Sequence, residues 1–406
     1  MDIKISAGKP VAQASVQVTG SKSETNRLLL LQALYPGISI QNISESDDSI
    51  AMQGALASTG HVVDIHHAGT AMRFLTAYFA QSEGRNVLLT GSQRMQERPI
   101  GVLVDALRSL GADIEYAGNE GYPPLKITGK KLAGGKASIK ADVSSQYITA
   151  LLLIAGKLEN GLELELLGEL TSIPYIKMTL GLLDEVGIEN SFEGNVITVQ
   201  PTTNNQESEI VVESDWSSAS YFYSIVALSE VGTSITLSSY KENSLQGDSA
   251  LATLYKDFGV STIYGDNAIT LTREGQQLTT INHELNNTPD IAQTIAVTCF
   301  ALGIGCHLTG LHTLKIKETD RLEALKTELG KFGAEVEVTN DSLTLAPSSH
   351  KNKGVEVTTY NDHRMAMAFA PLALKVPIVV KDAGVVSKSF PTFWEDMEKM
   401  GFVVSG

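Results

Sequence analysis

The stretch NDHRMAMAFAPLAL at residues 361–374 begins with small polar residues and continues with apolar side chains on every side of a predicted helix. Five other segments have the same form: SKSETNRLLLLQAL at 21–34, AGTAMRFLTAYFA at 68–80, SSQYITALLLIA at 144–155, DWSSASYFYSIVALS at 215–229 and TPDIAQTIAVTCFALG at 288–303. Their starts lie 71 to 76 residues apart, except for a first interval of 47. This recurrence is typical of a fold built from repeated units.

Each apolar helix is followed by a predicted strand and by a second helical segment that ends at a glycine. A glycine just beyond a helix favours the left-handed conformation that stops it. Most copies then continue as a hairpin, as in AEVEVTNDSLTLAP at 334–347, with its turn at Asn340 and Asp341. The six glycines are Gly60, Gly111, Gly187, Gly259, Gly333 and Gly401. The repeated unit is therefore helix, strand, helix, strand, strand, which predicts an α/β fold.

The N-terminal segment has a spare predicted strand, and the last repeated unit lacks one. The sixth copy stops after a single strand at 402–404, whereas ASVQVTG at 14–20 is a spare strand before the first helix. A closed architecture would pair the termini, and 406 residues suit two domains. We therefore predict a C-terminal lobe of 1–19 plus 215–406 and an N-terminal lobe of 20–214. The crossings near Gly20 and Asp215 would act as a hinge that closes over ligands.

Composition narrows the class of protein. A net charge of −15 argues against a surface that binds nucleic acid or anionic membranes without specificity. The opening MDIKISAGKP lacks an apolar signal region, and no apolar run is long enough for a membrane span, so we expect a cytoplasmic protein. Cys299 and Cys306 lie in the apolar run TCFALGIGC and are predicted to be buried, unreactive thiols.

The helix starts combine capping residues with unexpected positive charge. Ser21 with Glu24 predicts a capping box, and Thr288 with Pro289 predicts a cap followed by proline. Helix stability alone favours acidic residues in a first turn. Basic residues stand there instead: Lys22 and Arg27 after Ser21, Arg73 after Gly69, and Arg364 after Asp362. Free amides beside a fixed cation form a receptor for phosphate or carboxylate, so we predict a cleft that binds small, multiply charged anions.

Nine short motifs occur in order along essentially the whole chain. They are GSKSETNR at 20–27, AGTAMR at 68–73, ERPI at 97–100, SSQ at 144–146, SIPYI at 172–176, PDIA at 289–292, KETDRL at 317–322, YNDHRMAM at 360–367 and KSFPTF at 388–393. In this set the chain resembles the 5-enolpyruvylshikimate-3-phosphate synthase family of enolpyruvyl transferases. The resemblance implies the two-lobed enolpyruvyl-transferase fold, an inside-out α/β barrel with three βαβαββ repeats in each lobe and six in total.

The resemblance also implies an activity. It is the transfer of the enolpyruvyl group of phosphoenolpyruvate to the 5-hydroxyl of shikimate 3-phosphate, with release of phosphate, in chorismate and aromatic amino-acid biosynthesis. The implied partners are these two small molecules and neither nucleic acid nor membrane. No cofactor and no metal are expected, and we expect a monomer.

The motifs carry the family's site residues onto this sequence. The residues implied to surround phosphoenolpyruvate are Lys22, Gly69, Arg98, Gln146, Arg321, Arg364 and Lys388. Those implied to hold shikimate 3-phosphate are Lys22, Ser23, Arg27, Ser144, Ser145, Gln146, Ser172, Tyr175, Asp290 and Lys317. Asp290 is the candidate base for the 5-hydroxyl. Glu318 is the candidate acid, although a salt bridge to neighbouring cations would also explain it, and Lys22 could share the proton-donor role.

Three residues depart from the expected pattern: His67 where we would expect Asn, Phe74 where Pro is common, and Thr313 where an amide is frequent. Two other activities fit the same scaffold. One is enolpyruvyl transfer to UDP-N-acetylglucosamine, whose enzymes typically have Asn after the first lysine and a reactive loop cysteine in the N-terminal lobe. Here Ser23 follows Lys22, and both cysteines lie in the other lobe. The second is a non-catalytic anion-binding protein, which could lose the acid and base that this chain retains.

Overall fold

The structure, a computed structural model, describes residues 1–9, 11–141, 144–168, 170, 173–203 and 207–406. Its α-helices are α1 (Lys22–Leu34), α2 (Asp47–Ala57), α3 (Gly69–Gln81), α4 (Gln93–Gln96), α5 (Gly101–Ser109), α6 (Ser145–Ala155), α7 (Ile173–Glu185), α8 (Trp216–Leu228), α9 (Leu251–Leu254), α10 (Ala292–Leu302), α11 (Arg321–Lys331), α12 (His363–Phe369) and α13 (Phe393–Lys399). None of these helices has both the length and the apolar character needed to cross a membrane.

The strands are β1 (Ile3–Ala7), β2 (Gln13–Val16), β3 (Ile38–Gln41), β4 (Val62–Asp64), β5 (Asn86–Thr90), β6 (Asp113–Tyr116), β7 (Leu125–Thr128), β8 (Gly135–Lys140), β9 (Leu162–Leu167), β10 (Asn190–Glu193), β11 (Val196–Val199), β12 (Ser208–Val211), β13 (Ser234–Ser238), β14 (Val260–Gly265), β15 (Ala268–Arg273), β16 (Ile281–Glu284), β17 (Cys306–Thr309), β18 (Val336–Val338), β19 (Leu343–Leu345), β20 (Glu356–Val357), β21 (Ile378–Val380) and β22 (Phe402–Ser405). They form one two-stranded and five four-stranded sheets, so the predicted α/β class is confirmed.

The chain divides into two compact units. One consists of residues 20–212, and the other of residues 1–19 together with 213–406. We call them the 20–212 unit and the 213–406 unit. Each contains three of the six sheets and its own hydrophobic core.

The apolar helices form the core of each unit, as their sequence requires. In the 20–212 unit, α1, α3 and α6 are buried along most of their length, and residues 148–155 of α6 are fully enclosed. In the 213–406 unit the corresponding helices are α8, α10 and α12. Full burial of a large apolar side chain contributes about 1.5–3 kcal/mol.

Five of the six repeats share one strand arrangement. In every four-stranded sheet an edge strand pairs in parallel with a central strand, and two antiparallel partners complete the order, as in β4-β5-β7-β6. The first repeat has only the parallel pair β3 and β12. The missing hairpin explains why the first interval in the sequence is 47 residues instead of about 73.

The termini pair as predicted, but through a different segment. Strand β22 pairs with β1, with Ile5 opposite Val404, so Ile3–Ala7 supplies the missing strand of the sixth repeat. The predicted partner, ASVQVTG at 14–20, overlaps β2, which pairs in parallel with β13 of the fourth repeat. Counting strands along the sequence indicated a spare strand near the N-terminus, but it could not tell β1 from β2.

Two predicted helix signals are wrong in detail. Ser21 is the N-cap residue of α1, yet its hydroxyl makes no hydrogen bond, so the capping box with Glu24 does not form. The Thr288 side chain does not cap either, although Pro289 opens a 3-10 turn there. Five of the six helix-ending glycines have positive φ, whereas Gly60 does not, because α2 already ends at Ala57.

Candidate active site

Helix α1 carries three of the predicted substrate-binding residues, Lys22, Ser23 and Arg27, in its first two turns. Lys22 Nζ lies 3.7 Å from Asp48 Oδ2, and the lysine side chain is 23% exposed. Asp48 stands in the first turn of α2, where the Ser46 side chain accepts a hydrogen bond from a backbone amide and caps the helix. Lys22 is thus a partly exposed cation held near one carboxylate.

Arg27 is almost completely buried, at 3% exposure, and neutral oxygen atoms hold its guanidinium. Nε donates to Thr179 Oγ1 at 2.9 Å, and Nη1 donates to the Ser23 carbonyl at 2.6 Å. Burial lowers the pKa of Arg27 to about 10, against the opposing effects of Tyr175 and Glu24. Within the described part of the chain, no carboxylate oxygen lies within 4.0 Å of its nitrogens. An anionic ligand would relieve the cost of burying this charge.

Helix α3 begins at Gly69, and the Arg98 guanidinium lies directly against that residue. A Cβ atom at Gly69 would stand 2.5 Å from Arg98 Nη1, which is too close for any side chain unless the arginine moves. The first amides of a helix lack intrahelical partners and attract anions. The helix start and Arg98 therefore present positive charge at the same place.

Arg73, which follows the start of α3, directs its guanidinium toward neutral groups of the same unit. It is only 4% exposed and donates through Nη1 to the Gly69 carbonyl at 3.2 Å and through Nη2 to the Pro99 carbonyl at 3.1 Å. Tyr147 Oη donates to the same Pro99 carbonyl at 2.6 Å. Because its donors face the backbone, Arg73 braces the segment that carries Arg98.

The start of α6 carries Ser144, Ser145 and Gln146. The Ser144 hydroxyl caps the helix by accepting from the Gln146 amide at 3.3 Å. Gln146 Nε2 donates to Thr70 Oγ1 at 3.4 Å, which brings the start of α6 next to the start of α3. Two helix starts from different repeats therefore lie side by side in this unit.

Tyr175, in the first turn of α7, lies beside Arg27. Its carbonyl accepts from Arg27 Nη2 at 3.4 Å, and its ring centre is 6.0 Å from the guanidinium carbon. Ser172, predicted from the same motif, lies outside the described residues. In the 20–212 unit the structure thus groups Arg27 with Tyr175, and Gly69 with Arg98.

In the 213–406 unit Asp290 lies at the centre of a group of cations. It belongs to the 3-10 turn Pro289–Ile291 before α10 and is 9% exposed. Oδ1 lies 2.9 Å from Arg321 Nη1 and 3.4 Å from Lys317 Nζ, while Oδ2 lies 3.3 Å from Arg364 Nη2. Three nearby cations favour the ionised carboxylate and fix the direction of both oxygens.

Arg321 contacts three carboxylates and is only 1% exposed. Nε donates to Asp362 at 2.6 Å, Nη2 to Glu318 at 2.8 Å and Nη1 to Asp290 at 2.9 Å. Burial acts to lower the pKa of Arg321, but Asp362, Glu318 and Asp290 together raise it above its ordinary value. Each guanidinium nitrogen of Arg321, a predicted ligand of phosphoenolpyruvate, therefore donates to a carboxylate.

Arg364 is the second residue of helix α12, and the Asp362 side chain accepts a hydrogen bond from its backbone amide at 2.9 Å. Its guanidinium reaches two other elements. Nη1 donates to the Asp290 carbonyl at 3.2 Å, and Nη2 donates to Ser217 Oγ at 3.2 Å. The arginine thereby links the starts of α12, α10 and α8, which belong to three different repeats.

The turn before α12 has an unusual backbone. Tyr360 and Asn361 both have positive φ, at 54° and 59°. Tyr360 Oη donates to the buried Glu328 at 2.6 Å, and Lys388 Nζ donates to the Asn361 carbonyl at 2.6 Å. Burial and the hydrogen bond to Glu328 raise the pKa of Tyr360 to about 12. Strained residues of this kind cluster at functional sites.

Sequence reasoning missed several acidic residues of these clusters. Asp362 was noted only beside a helix start, although it pairs with Arg321, and Asp48 was not noted at all. Asp248, in the loop SLQGD at 244–248, accepts a hydrogen bond from Ser217. A single acidic residue in a loop carries no sequence signal, because its partner comes from another part of the chain.

The described residues contain no group of three or more His, Cys, Asp or Glu side chains arranged to hold a metal ion. Cys299 and Cys306 are free and, as predicted, buried. Burial raises the pKa of the Cys299 thiol well above its ordinary value. These thiols therefore have the character of core residues.

Comparison with known proteins agrees with these features. A 3-phosphoshikimate 1-carboxyvinyltransferase of Bacteroides fragilis is 45% identical over 399 residues, with 96% of each chain covered. One from Haemophilus influenzae is 38% identical, again with 96% of each chain covered. The solved structure of an EPSP synthase from Acinetobacter baumannii covers 100% of both chains with a TM-score of 0.83; at 22% identity it shows the same fold. Residues 37–397 match the EPSP synthase (3-phosphoshikimate 1-carboxyvinyltransferase) family, and the chain belongs to that family.

Proposed function

We propose that this chain transfers the enolpyruvyl group of phosphoenolpyruvate to the 5-hydroxyl of shikimate 3-phosphate and releases phosphate, in chorismate and aromatic amino-acid biosynthesis. In a chain of this family, the observation that carries the proposal is the Asp290 carboxylate surrounded by Lys317, Arg321 and Arg364. Both substrates carry a phosphate and a carboxylate. Arginine forks suit the planar oxygens of such groups, and lysine supplies point charge.

We assign shikimate 3-phosphate mainly to residues of the 20–212 unit. The supporting feature is Arg27, a buried cation whose guanidinium donates to neutral hydroxyl and carbonyl oxygens of the described residues. A phosphate bound near Arg27 would pair with a guanidinium that makes no ion pair with a carboxylate of the described residues. The full proposed set is Lys22, Ser23, Arg27, Ser144, Ser145, Gln146, Ser172 and Tyr175, with Asp290 and Lys317 from the 213–406 unit.

We assign phosphoenolpyruvate to residues of both units. Gly69 supports this assignment, because its missing side chain leaves the α3 amides and the Arg98 guanidinium next to each other. The complete proposed set is Lys22, Gly69, Arg98, Gln146, Arg321, Arg364 and Lys388. Arg321 would have to exchange at least one of its three carboxylates to contact the ligand directly.

Asp290 is proposed as the base in the addition step. It takes the proton of the 5-hydroxyl while the oxygen bonds to C2 of phosphoenolpyruvate and an acid protonates the methylene carbon. The tetrahedral ketal then loses phosphate, and a proton leaves the new methyl group to restore the double bond. Fixed cations stabilise the charge that develops on the phosphate as it departs.

Two residues remain candidates for the acid. Glu318 is 37% exposed and pairs with Arg321 at 2.8 Å, an arrangement that also fits a structural salt bridge. Lys22 is 23% exposed and lies 3.7 Å from Asp48. The side chains of both residues are more exposed than that of Asp290. Separate kinetic study of Glu318→Gln and Lys22→Met would divide the role between them.

Phosphate release tests the proposed function. The purified chain is mixed with phosphoenolpyruvate and either shikimate 3-phosphate or UDP-N-acetylglucosamine, and inorganic phosphate is followed with time. We expect release only with shikimate 3-phosphate. Release only with the UDP-sugar would assign the chain to the other enolpyruvyl transfer, and release with neither acceptor would favour a non-catalytic anion-binding protein.

Gly69→Ala should weaken binding of phosphoenolpyruvate specifically. The added Cβ would stand 2.5 Å from Arg98 Nη1, so the guanidinium must move away from the helix start. Loss of one charge-assisted contact of about 1.5–3 kcal/mol corresponds to a KM for phosphoenolpyruvate raised by roughly 10- to 100-fold. The KM for shikimate 3-phosphate should stay within about twofold. Gly84→Asn, at a glycine with open space around it, is the control, and equal effects on both substrates would contradict the assignment.

We place the enzyme in the cytoplasm. The support is chemical: both cysteines are free thiols in the core, which fits a reducing compartment. Expression with a fluorescent tag and fractionation of the source cells would test this location.

A further inference from the structure

Asp248 is a buried carboxyl group that the reaction scheme does not use. It lies in the 3-10 turn Gly247–Ala250 and is 7% exposed. Its Oδ2 accepts a hydrogen bond from Ser217 Oγ. Within the described ranges, no nitrogen of Lys, Arg or His comes within 4.0 Å of its oxygens. Buried carboxylates usually have a cation as a partner, so an acid held by one hydroxyl needs an explanation.

Ser217 connects this acid to Arg364. The hydroxyl has one proton, and that proton is donated to Asp248. The oxygen lone pairs then face Arg364 Nη2, which donates to Ser217 at 3.2 Å. The three groups form a directed chain from guanidinium to hydroxyl to carboxylate, in which the carboxylate determines that Ser217 acts as an acceptor toward the arginine.

The side chain of Gln246 holds Asp248 and Ser217 close to each other. Gln246 precedes Asp248 by two residues, and its side-chain oxygen accepts from the Trp216 amide at 2.9 Å. Its side-chain nitrogen donates to the Ser214 carbonyl at 3.0 Å. The loop that carries Asp248 is thereby attached to the start of α8, where Ser217 lies. The relation of carboxylate to hydroxyl is thus a property of the packed unit.

The same arginine nitrogen has a competing acceptor. Arg364 Nη2 also lies 3.3 Å from Asp290 Oδ2, the carboxylate of the proposed base. A stronger bond to Ser217 draws the guanidinium away from Asp290. A weaker bond to Ser217 would let Arg364 move onto Asp290, where it would be less available to an anionic ligand. The closer ion pair would also make the Asp290 carboxylate a weaker base.

We propose that Asp248, acting through Ser217, is a positioning residue that keeps Arg364 directed toward phosphoenolpyruvate instead of toward Asp290. The proposal rests on the proposed function, since it takes Arg364 as a ligand of phosphoenolpyruvate. Asp248 itself touches no reacting atom in this scheme. Its effect depends on its negative charge, because a neutral group in its place no longer obliges the Ser217 proton to point away from the arginine.

Titration of Asp248 gives the proposal a pH signature. Burial raises the pKa of Asp248 to about 6; Asp290 and Asp215 raise it as well, while Arg364 and the hydrogen bond from Ser217 lower it. These are the charged groups that face it, from the starts of α8, α10 and α12. Asp248 is therefore ionised at pH 7.5 and largely protonated at pH 5, so its positioning effect should be present in the first condition and lost in the second.

The decisive comparison is Asp248→Asn with wild type, in the phosphate-release assay between pH 5 and pH 8. At pH 7.5 we expect kcat/KM for phosphoenolpyruvate to fall about tenfold, mainly through KM, with the KM for shikimate 3-phosphate unchanged. The phosphate of phosphoenolpyruvate itself titrates in this range. The quantity to plot is therefore the wild-type kcat/KM for phosphoenolpyruvate divided by that of the variant. That ratio should decline toward one at pH 5.

Further variants separate positioning from general damage. Ser217→Ala should lower kcat/KM for phosphoenolpyruvate as much as Asp248→Asn does. Ser217→Thr should keep most of the wild-type value, because it retains the hydroxyl. Asp248→Asn added to Ser217→Ala should cause no further loss. Asp396→Asn is the control, because Asp396 is an equally buried acid of the same unit that pairs with Lys399 at 2.7 Å. It should leave both KM values unchanged. If Asp248→Asn does not fold, the Ser217 pair of variants tests the same link.

A ratio near one at every pH, a tenfold loss that does not depend on pH, or additive effects of the two substitutions would each overturn the proposal. Failure of the proposed function is distinguishable from these results. It would appear as wild-type protein that releases no phosphate with shikimate 3-phosphate, before any variant is compared.

Discussion

Replacement of Asp290 by Asn should lower kcat for enolpyruvyl transfer by roughly 10²- to 10⁴-fold, the range that a positioned general base contributes. The amide has nearly the shape of the carboxylate but cannot take the proton of the 5-hydroxyl. Because Asp290 competes with anionic ligands for Lys317, Arg321 and Arg364, phosphoenolpyruvate should bind Asp290→Asn at least as tightly as wild type. Single-turnover phosphate release and equilibrium titration with phosphoenolpyruvate measure the two effects separately.

The control for this substitution is again Asp396→Asn, which neutralises a buried acid outside the cluster. It should retain near-normal turnover. Turnover of Asp290→Asn within about tenfold of wild type would contradict the role of Asp290 as base. Loss of ligand binding together with turnover would instead assign Asp290 to the architecture of the cation cluster.

Replacement of Arg321 by Met should destabilise the 213–406 unit by about 3–5 kcal/mol, the usual cost of removing one partner from a buried ion pair. Methionine fills much of the volume but leaves Asp362, Asp290 and Glu318 without their common cation. Since the pKa of Arg321 is raised above its ordinary value, its stabilising charge is present throughout the neutral range. Urea unfolding followed by circular dichroism should show the loss at pH 7.5.

The same measurement at pH 5 gives a sign test. Acid protonates carboxylates that have lost their cation, so the difference between Arg321→Met and wild type should shrink as the pH falls. Arg94→Met removes an exposed arginine whose partner Glu97 is also exposed, and it should unfold like wild type at both values. A loss below about 1 kcal/mol for Arg321→Met at pH 7.5 would show that the three carboxylates find other partners.

The repeat architecture was predictable because it depends on local patterns. An apolar helix, a glycine stop and a hairpin recur along the chain, and each pattern reflects a requirement that operates within a few residues. The six repeated units and their apolar helices followed from these patterns. The pairing of β22 with β1, and not with β2, could not be predicted in this way. Pairing between distant strands depends on geometry that no local pattern contains.

The motifs also predicted which segments carry charge, but not what that charge contacts. Ser21 looked like a capping residue, yet its hydroxyl is buried without a hydrogen bond. Arg73 and Arg364 both follow a helix start, but Arg73 donates to backbone carbonyls, whereas Arg364 also contacts the Asp290 carboxylate. A side chain's partner depends on which elements pack beside it, and equivalent positions in two repeats have different neighbours.

By itself the sequence determined the α/β class, the six repeated units, the apolar character of the first helix in each repeat and the set of basic residues at helix starts. These features follow from hydrophobic periodicity and turn chemistry, which act over short distances. Only the tertiary structure decided that Arg321 joins three carboxylates, that Asp248 reaches Arg364 through Ser217, and that Ile3–Ala7 completes the last sheet. Such contacts join residues separated by up to several hundred positions, and packing alone determines which of them meet.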